Sequence, residues 1–166
     1  MKENIKIGII GLGQRGDVML ENPIIPMMKN GAGIEIAAVC DLLPDRVTAA
    51  AEKLEKAGFS RPAELTDYKE LLKNKELDAV YIAVSWEAHA EVAVAAMHAG
   101  KYVGLEAGGA YSVDDCCKLV RAYEETGTEL MLMENCCYGR RELMALNMAR
   151  KGVLGNIMPC SGAYCH

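Results

Sequence analysis

Ile5-Lys6-Ile7-Gly8-Ile9-Ile10-Gly11-Leu12-Gly13-Gln14-Arg15-Gly16 decides how the rest of the chain is read. Ile5 to Ile10 is a short β-rich run whose one polar interruption is Lys6. That is the composition of a central parallel strand, covered on both faces. Glycines at 11, 13 and 16 follow at once, and a helical pattern follows them. Three glycines alone make a turn. Between a strand and a helix they have a mechanical meaning. Gly11 permits the tight turn, Gly13 lets the backbone approach a pyrophosphate, and Gly16 lets the helix pack close to the strand. The helix start offers unpaired N–H groups and partial positive charge to phosphates. Gln14 lies on the loop, and Arg15 is a candidate for a charge-assisted bond.

Outward from this loop, strand and helix signals alternate. Pro23 and Pro26 predict that the first helix stops near Leu20, leaving 21–33 as a loop or broken helix. Ile34 to Cys40 reads as the second strand, and Pro44 opens a helix that runs to about Ala57 before Gly58. Tyr68 to Leu72 reads as a short helix and Ala79 to Val84 as a third strand. Glu87 to Ala99 is helical and closed by Gly100, and Tyr102 to Leu105 is a strand. Ser112 and Asp115 form a capping box before a helix with an apolar stripe at Val113, Cys116, Cys117, Val120 and Tyr123. Glu129 to Met133 is a further strand, Arg140 to Arg150 a further helix, and 156–166 a last strand. The repeated βαβ pattern predicts an α/β chain. Its form is a Rossmann, doubly wound, mainly parallel sheet with helices on both faces.

Composition bounds the partners. The 166 residues suffice for one domain with a real core, and half of them are apolar. A net charge of −5 argues against nucleic acid and anionic membrane surfaces, which select a basic face. No apolar run approaches the roughly 18 residues of a membrane span, and the first strand lacks the flanks of a secretory signal. A cytoplasmic location is the expectation. The seven cysteines include no C-x-x-C spacing, so no metal site is expected. Cys160, Cys165 and His166 come nearest to one. The cysteines read as reduced, small apolar side chains.

Candidate cofactor-binding residues collect at strand ends, where a doubly wound sheet binds ligands. Asp41 ends the second strand. A carboxylate there accepts bonds from both adenosine ribose hydroxyls and repels a 2′-phosphate, so NAD is favoured over NADP. Arg46 close by softens that preference, and a helix-capping role before Pro44 is the alternative for Asp41. Ser85 and Trp86 follow the third strand and are candidates to line the cofactor. His89 lies in the next helix, as a cofactor contact or a packed histidine. Glu106 and Asn135 stand at later strand ends. A buried Glu106 needs a hydrogen-bond partner, and a nicotinamide ribose or carboxamide is a candidate.

With these residues collected, the chain resembles the Gfo/Idh/MocA family of sugar-type oxidoreductases over essentially its whole length. The resemblance rests on Gly11 to Gly16, Asp41, Trp86 to His89, the Glu106 strand end and Glu134-Asn135. It implies NAD(P), a Rossmann domain over 1–135, and a second domain that is absent here. Residues 136–166 would then be a connecting helix and the first strand of that second domain. Dehydrogenases of the family carry Glu-Lys-Pro where this chain has Glu106-Ala107-Gly108, and Ala107 cannot do the acid–base work of that lysine. Glu134-Asn135-Cys136-Cys137-Tyr138-Gly139-Arg140, with Gly162 to His166, is similar to the NAD-dependent glycoside hydrolase branch, which includes α-N-acetylgalactosaminidases. That branch also lacks the lysine. The likeness implies tightly held NAD used in a cycle: oxidation at C3 of a sugar, elimination, water addition and re-reduction. It also places Tyr164 and His166 on the sugar as proton-transfer residues. A conventional sugar or cyclitol dehydrogenase and a non-catalytic NAD-binding module are the alternatives. The expected partner is a small-molecule sugar or glycoside. An unpaired last strand leaves room for a homo-oligomer.

Overall fold

The computed structural model describes residues 4–134 and 138–158. The chain divides into two compact units, Met1–Met133 and Glu134–His166. The first unit holds six strands: β1 (Ile5–Ile10), β2 (Ile34–Cys40), β3 (Ala63–Leu65), β4 (Ala79–Ile82), β5 (Tyr102–Glu106) and β6 (Leu130–Met133). They form one sheet in the order β3-β2-β1-β4-β5-β6, and every neighbouring pair is parallel. This is the doubly wound order in which the chain reverses direction across the sheet between β1 and β4.

Alternation along the strands builds a core on each face. Ile9, Val39 and Tyr81 point to one side, where they meet Leu20, Ile25, Val47, Ala50 and Leu54. Those partners come from the segment that follows the glycine loop and from α3 (Pro44–Lys56). Ile10, Cys40, Val80 and Ile82 point to the other side. They meet Leu71 and Leu72 of α4 (Tyr68–Leu72), Val92, Ala93, Ala96 and Met97 of α5 (Trp86–His98), and Ala122 of α6 (Val113–Thr126).

Two expectations are corrected, and one strand is found where the sequence marks none. The segment after the glycine loop does not stop at Leu20. It runs as α1 (Gln14–Met19), a π-helical turn over Leu20–Ile24 containing Pro23, and α2 (Ile25–Lys29) with Pro26 in its first turn. A wider turn absorbs the proline ring and its missing N–H without ending the helix. The short edge strand β3 carries no apolar alternation, and it forms because three residues pair with β2. The other correction is α6, which turns its predicted stripe outward: Val113 is 82% exposed, and Val120, Tyr123, Cys116 and Cys117 are also exposed. The side that packs on α5 is centred on Ala122, 2% exposed, with Leu119 beside it. The cap behaves as expected, with Ser112 Oγ accepting from the Asp115 N–H and Gly127 closing the helix at φ 66°.

The described part of the second unit contains α7 (Arg140–Arg150), with Gly152 past its end at φ 70°. The expected last strand falls mainly on residues 159–166, outside the described residues. Among the described residues, no helix is long and apolar enough to cross a membrane, and no cluster of His, Cys, Asp or Glu could hold a metal ion.

Candidate dinucleotide-binding site

The carboxyl ends of β1, β2 and β4 open into a cleft of about 610 Å³ at the point where the strand order reverses. Gly11, Gly13, Gln14, Arg15, Asp41 and Ser85 all line it.

The three glycines of the loop differ in what they make possible. Gly11 has φ +93°, its N–H donates to the Cys40 carbonyl at 2.8 Å, and a Cβ there would collide with the Ala83 carbonyl. A Cβ on Gly16 would collide with the carbonyl oxygen of Gly11. These two hold the helix and β4 against the loop. Gly13 is different: the one atom near a Cβ there is Arg46 Nη1, at 3.6 Å. Its open side belongs to the cleft, as a backbone that must admit a pyrophosphate requires.

Asp41 fixes two loops from the cleft wall. Its Oδ2 accepts the Leu12 N–H at 2.7 Å and its Oδ1 accepts the Leu43 N–H at 3.0 Å. Arg46 Nη1 lies 3.6 Å from Oδ1. The residue preceding α3 is Leu43, so Asp41 is not the cap of that helix. Each carboxylate oxygen has a second lone pair, so ribose hydroxyls can still be accepted. Ser85 precedes α5 without capping it through its side chain. The cleft is continued by Thr66 and Tyr68, which the sequence does not mark. The Tyr68 hydroxyl donates to Glu91 Oε1 at 2.8 Å, and burial, with that bond, pushes its pKa up to about 12. Cys40 also lines the cleft, but burial pushes its thiol up to about 11, which keeps it un-ionised and unreactive.

A second cluster lies at the end of β5. Glu106, 6% exposed, obtains its partners within the chain. Tyr81 donates its hydroxyl to Oε1 at 2.8 Å, Arg15 Nε lies 3.0 Å from Oε1, and the Ala107 N–H donates to Oε2 at 3.1 Å. Arg15 therefore reaches from the glycine loop to the β5 end. Burial, followed by the bond to Glu106, raises the Tyr81 pKa well above that of an ordinary tyrosine. In the sequence Tyr81 looks like any core residue between Val80 and Ile82, so its role as a partner gave no signal.

Trp86 is 61% exposed beside this turn. Gly108 has φ +86°, and a Cβ there would sit 2.8 Å from Trp86 Nε1, so the indole lies against a residue that must lack a side chain. His89 is 1% exposed, and neither ring nitrogen has a hydrogen-bond partner of good geometry. Burial lowers its pKa, opposed by backbone groups of Val84 and Gly108 and by the charge of Glu106. Trp86, His89, Glu106 and Ala107 are not among the residues lining the main cleft. Asn135, Tyr164 and His166 lie outside the described residues.

Residues 5–134 match the model of the Gfo/Idh/MocA family, described as an oxidoreductase family with an NAD-binding Rossmann fold. The chain belongs to this family. The family is described by its NAD-binding Rossmann fold, and the open side of Gly13 fits a nicotinamide dinucleotide. Among curated relatives, a glycosyl hydrolase family 109 protein of Bacteroides thetaiotaomicron is 41% identical over 99% of this chain and 35% of its own length. One of Streptomyces niveus is 38% identical over 99% of this chain and 33% of its own. The chain thus spans about a third of the length of these relatives. The fold is also that of the apo scyllo-inositol dehydrogenase of Lactobacillus casei (TM-score 0.81, 19% identity, 94% of this chain and 44% of that one). It is likewise that of the WlbA dehydrogenase of Bordetella pertussis, solved with NADH and UDP-GlcNAcA (TM-score 0.78, 21% identity, 92% and 43%).

Proposed function

We propose that this chain is the cofactor-binding part of a glycosidase that holds NAD and recycles it. The observation that carries this reading is its 41% identity, over almost all its length, to a relative named glycosyl hydrolase family 109. Ala107 supports it, because residue 107 offers no acid or base at the β5 end for a simple dehydrogenase. When bound, NAD supplies a site that accepts a hydride from the sugar and gives it back.

The chain's own residues bind and orient. Gly13 admits the pyrophosphate, and Asp41 accepts from the adenosine ribose and disfavours a 2′-phosphate, which makes NAD the preferred form. Gln14, Arg15 and Ser85 line the cleft around it. Trp86, His89, Glu106 and Ala107 shape the nicotinamide end, with Asn135 completing it. Residues 1–135 form the cofactor domain, and 136–166 lead into a sugar-binding domain. Tyr164 and His166 contact the sugar there and move its protons.

Two measurements test this. Calorimetry is expected to show NAD binding to the chain more tightly than NADP, with at least about a tenfold loss in Asp41→Ala. A folded chain that binds neither would remove the cofactor assignment, and a preference for NADP would remove only the role of Asp41. The product of the complete gene is expected to release sugar from an aryl α-glycoside without added NAD and without net NADH. Net NADH formed from a free sugar would replace the glycosidase with a dehydrogenase.

A further inference from the structure

The parallel order β2-β1-β4-β5 sets Asp41, the glycine loop and Glu106 side by side along one edge of the sheet. A dinucleotide whose adenosine ribose meets Asp41 and whose pyrophosphate crosses Gly13 extends toward the ends of β4 and β5. The buried Glu106 carboxylate stands at that end. The oxidised nicotinamide ring carries a positive charge and the reduced ring carries none, so a fixed charge nearby favours one form over the other. In a site with little water such an effect is large. Glu106 by itself would favour the oxidised form. Arg15, 3.0 Å away through Nε, offsets that charge. The Tyr81 hydroxyl and the Ala107 N–H hold the carboxylate in place without adding charge.

We propose that the Arg15–Glu106 pair sets the balance between oxidised and reduced cofactor on this chain, with Tyr81 as the positioning residue that fixes the carboxylate. The proposal rests on the cofactor assignment made above. It gives Arg15 a role beyond the phosphates, as the residue that links the glycine loop, which would hold the pyrophosphate, to the buried carboxylate at the end of β5. In an enzyme that must take up a hydride and return it in each turnover, neither form of the cofactor can be strongly trapped. A neutralised carboxylate meets that need better than a bare one.

The test is the pair of dissociation constants for NAD+ and NADH, measured by calorimetry on the chain and three variants. In Arg15→Gln the ratio Kd(NADH)/Kd(NAD+) is expected to rise at least about fivefold, because the Glu106 charge is no longer offset. In Glu106→Gln the ratio falls by a similar factor. In Arg15→Lys, which keeps the charge, it stays within about twofold of the parent. A purely structural or phosphate-binding role would change both affinities by one common factor and leave the ratio fixed, and that result overturns the proposal. So does an Arg15→Lys variant that behaves like Arg15→Gln. Arg15 is partly exposed, so its two variants decide the matter even if Glu106→Gln fails to fold. If the parent chain binds neither form, the cofactor assignment itself falls.

Discussion

At Gly16 a single methyl group would strike the backbone carbonyl of Gly11, whereas at Gly13 it would meet open cleft. The two glycines should therefore separate stability from binding. Gly16→Ala is expected to destabilise the chain by about 2–4 kcal/mol, since a backbone atom cannot swing aside as a side chain can. Gly13 has φ −66°, which alanine adopts freely. Gly13→Ala should keep the unfolding free energy to within about 0.5 kcal/mol while weakening NAD binding at least about tenfold. Chemical denaturation and calorimetry on the two variants check both claims. His89 supplies a pH signature. Burial lowers its pKa from 6.5, so below that value the unfolded chain takes up a proton that the folded chain resists. The penalty is absent above about pH 6.5 and grows as pH falls toward the folded-state pKa. His89→Leu removes the titrating group, and its melting temperature should drop less between pH 7.5 and 5.5 than the parent's, by about 2–4 °C. The spacing of the glycine loop pointed to residues that line the cleft. It could not show that Arg15, Tyr81 and Glu106 meet one another, because Tyr81 lies a βαβ unit before Glu106 and Arg15 several units before it, and they join only when the sheet forms.

At the scale of elements, periodicity marked the long helices and the central strands but not which side of a helix is buried. On α6 the sequence stripe is the more apolar side, and the structure buries the side with the small residue instead. Ala122 lets α6 approach α5 closely, and a bulkier stripe cannot use that space. Val120→Glu and Tyr123→Glu should each change stability by less than about 0.5 kcal/mol, as substitutions at exposed positions do. Ala122→Leu should cost about 1–3 kcal/mol through overpacking. Urea midpoints of the three variants check this, and a large loss for Val120→Glu would return the stripe to the core. Lys101 is the opposite lesson. A lysine at the start of a strand reads as solvated, yet it is buried, with Nζ donating to the carbonyls of Asn74 and Leu77 at 2.7 and 2.8 Å. Its charge is accommodated by two carbonyls of the turn after α4, a requirement that appears only once β5 lies beside that turn.

For the molecule as a whole, the alternating βαβ pattern was enough to foresee a parallel sheet, because such connections admit few topologies. What it could not supply is the edge strand β3, whose three residues have no pattern of their own and take their conformation from β2. The cleft residues named here lie within Met1–Met133, one compact unit with its own two-faced core. If the cofactor site belongs to that unit, a chain ending at Glu134 should fold and should gain as much stability from NAD as the parent does. A ligand at about one hundred times its Kd adds about 2.7 kcal/mol to a folded state that alone binds it. Thermal melts of both chains with NAD in that excess should therefore rise by the same amount, and each should rise less with NADP at the same concentration. A shortened chain that stays folded but loses the NAD-dependent rise would assign part of the grip to the residues removed, with Asn135 the first to restore. An equal rise would confine the binding energy to the residues up to Glu134, where Asp41, Gly13 and Glu106 stand along one edge of the sheet.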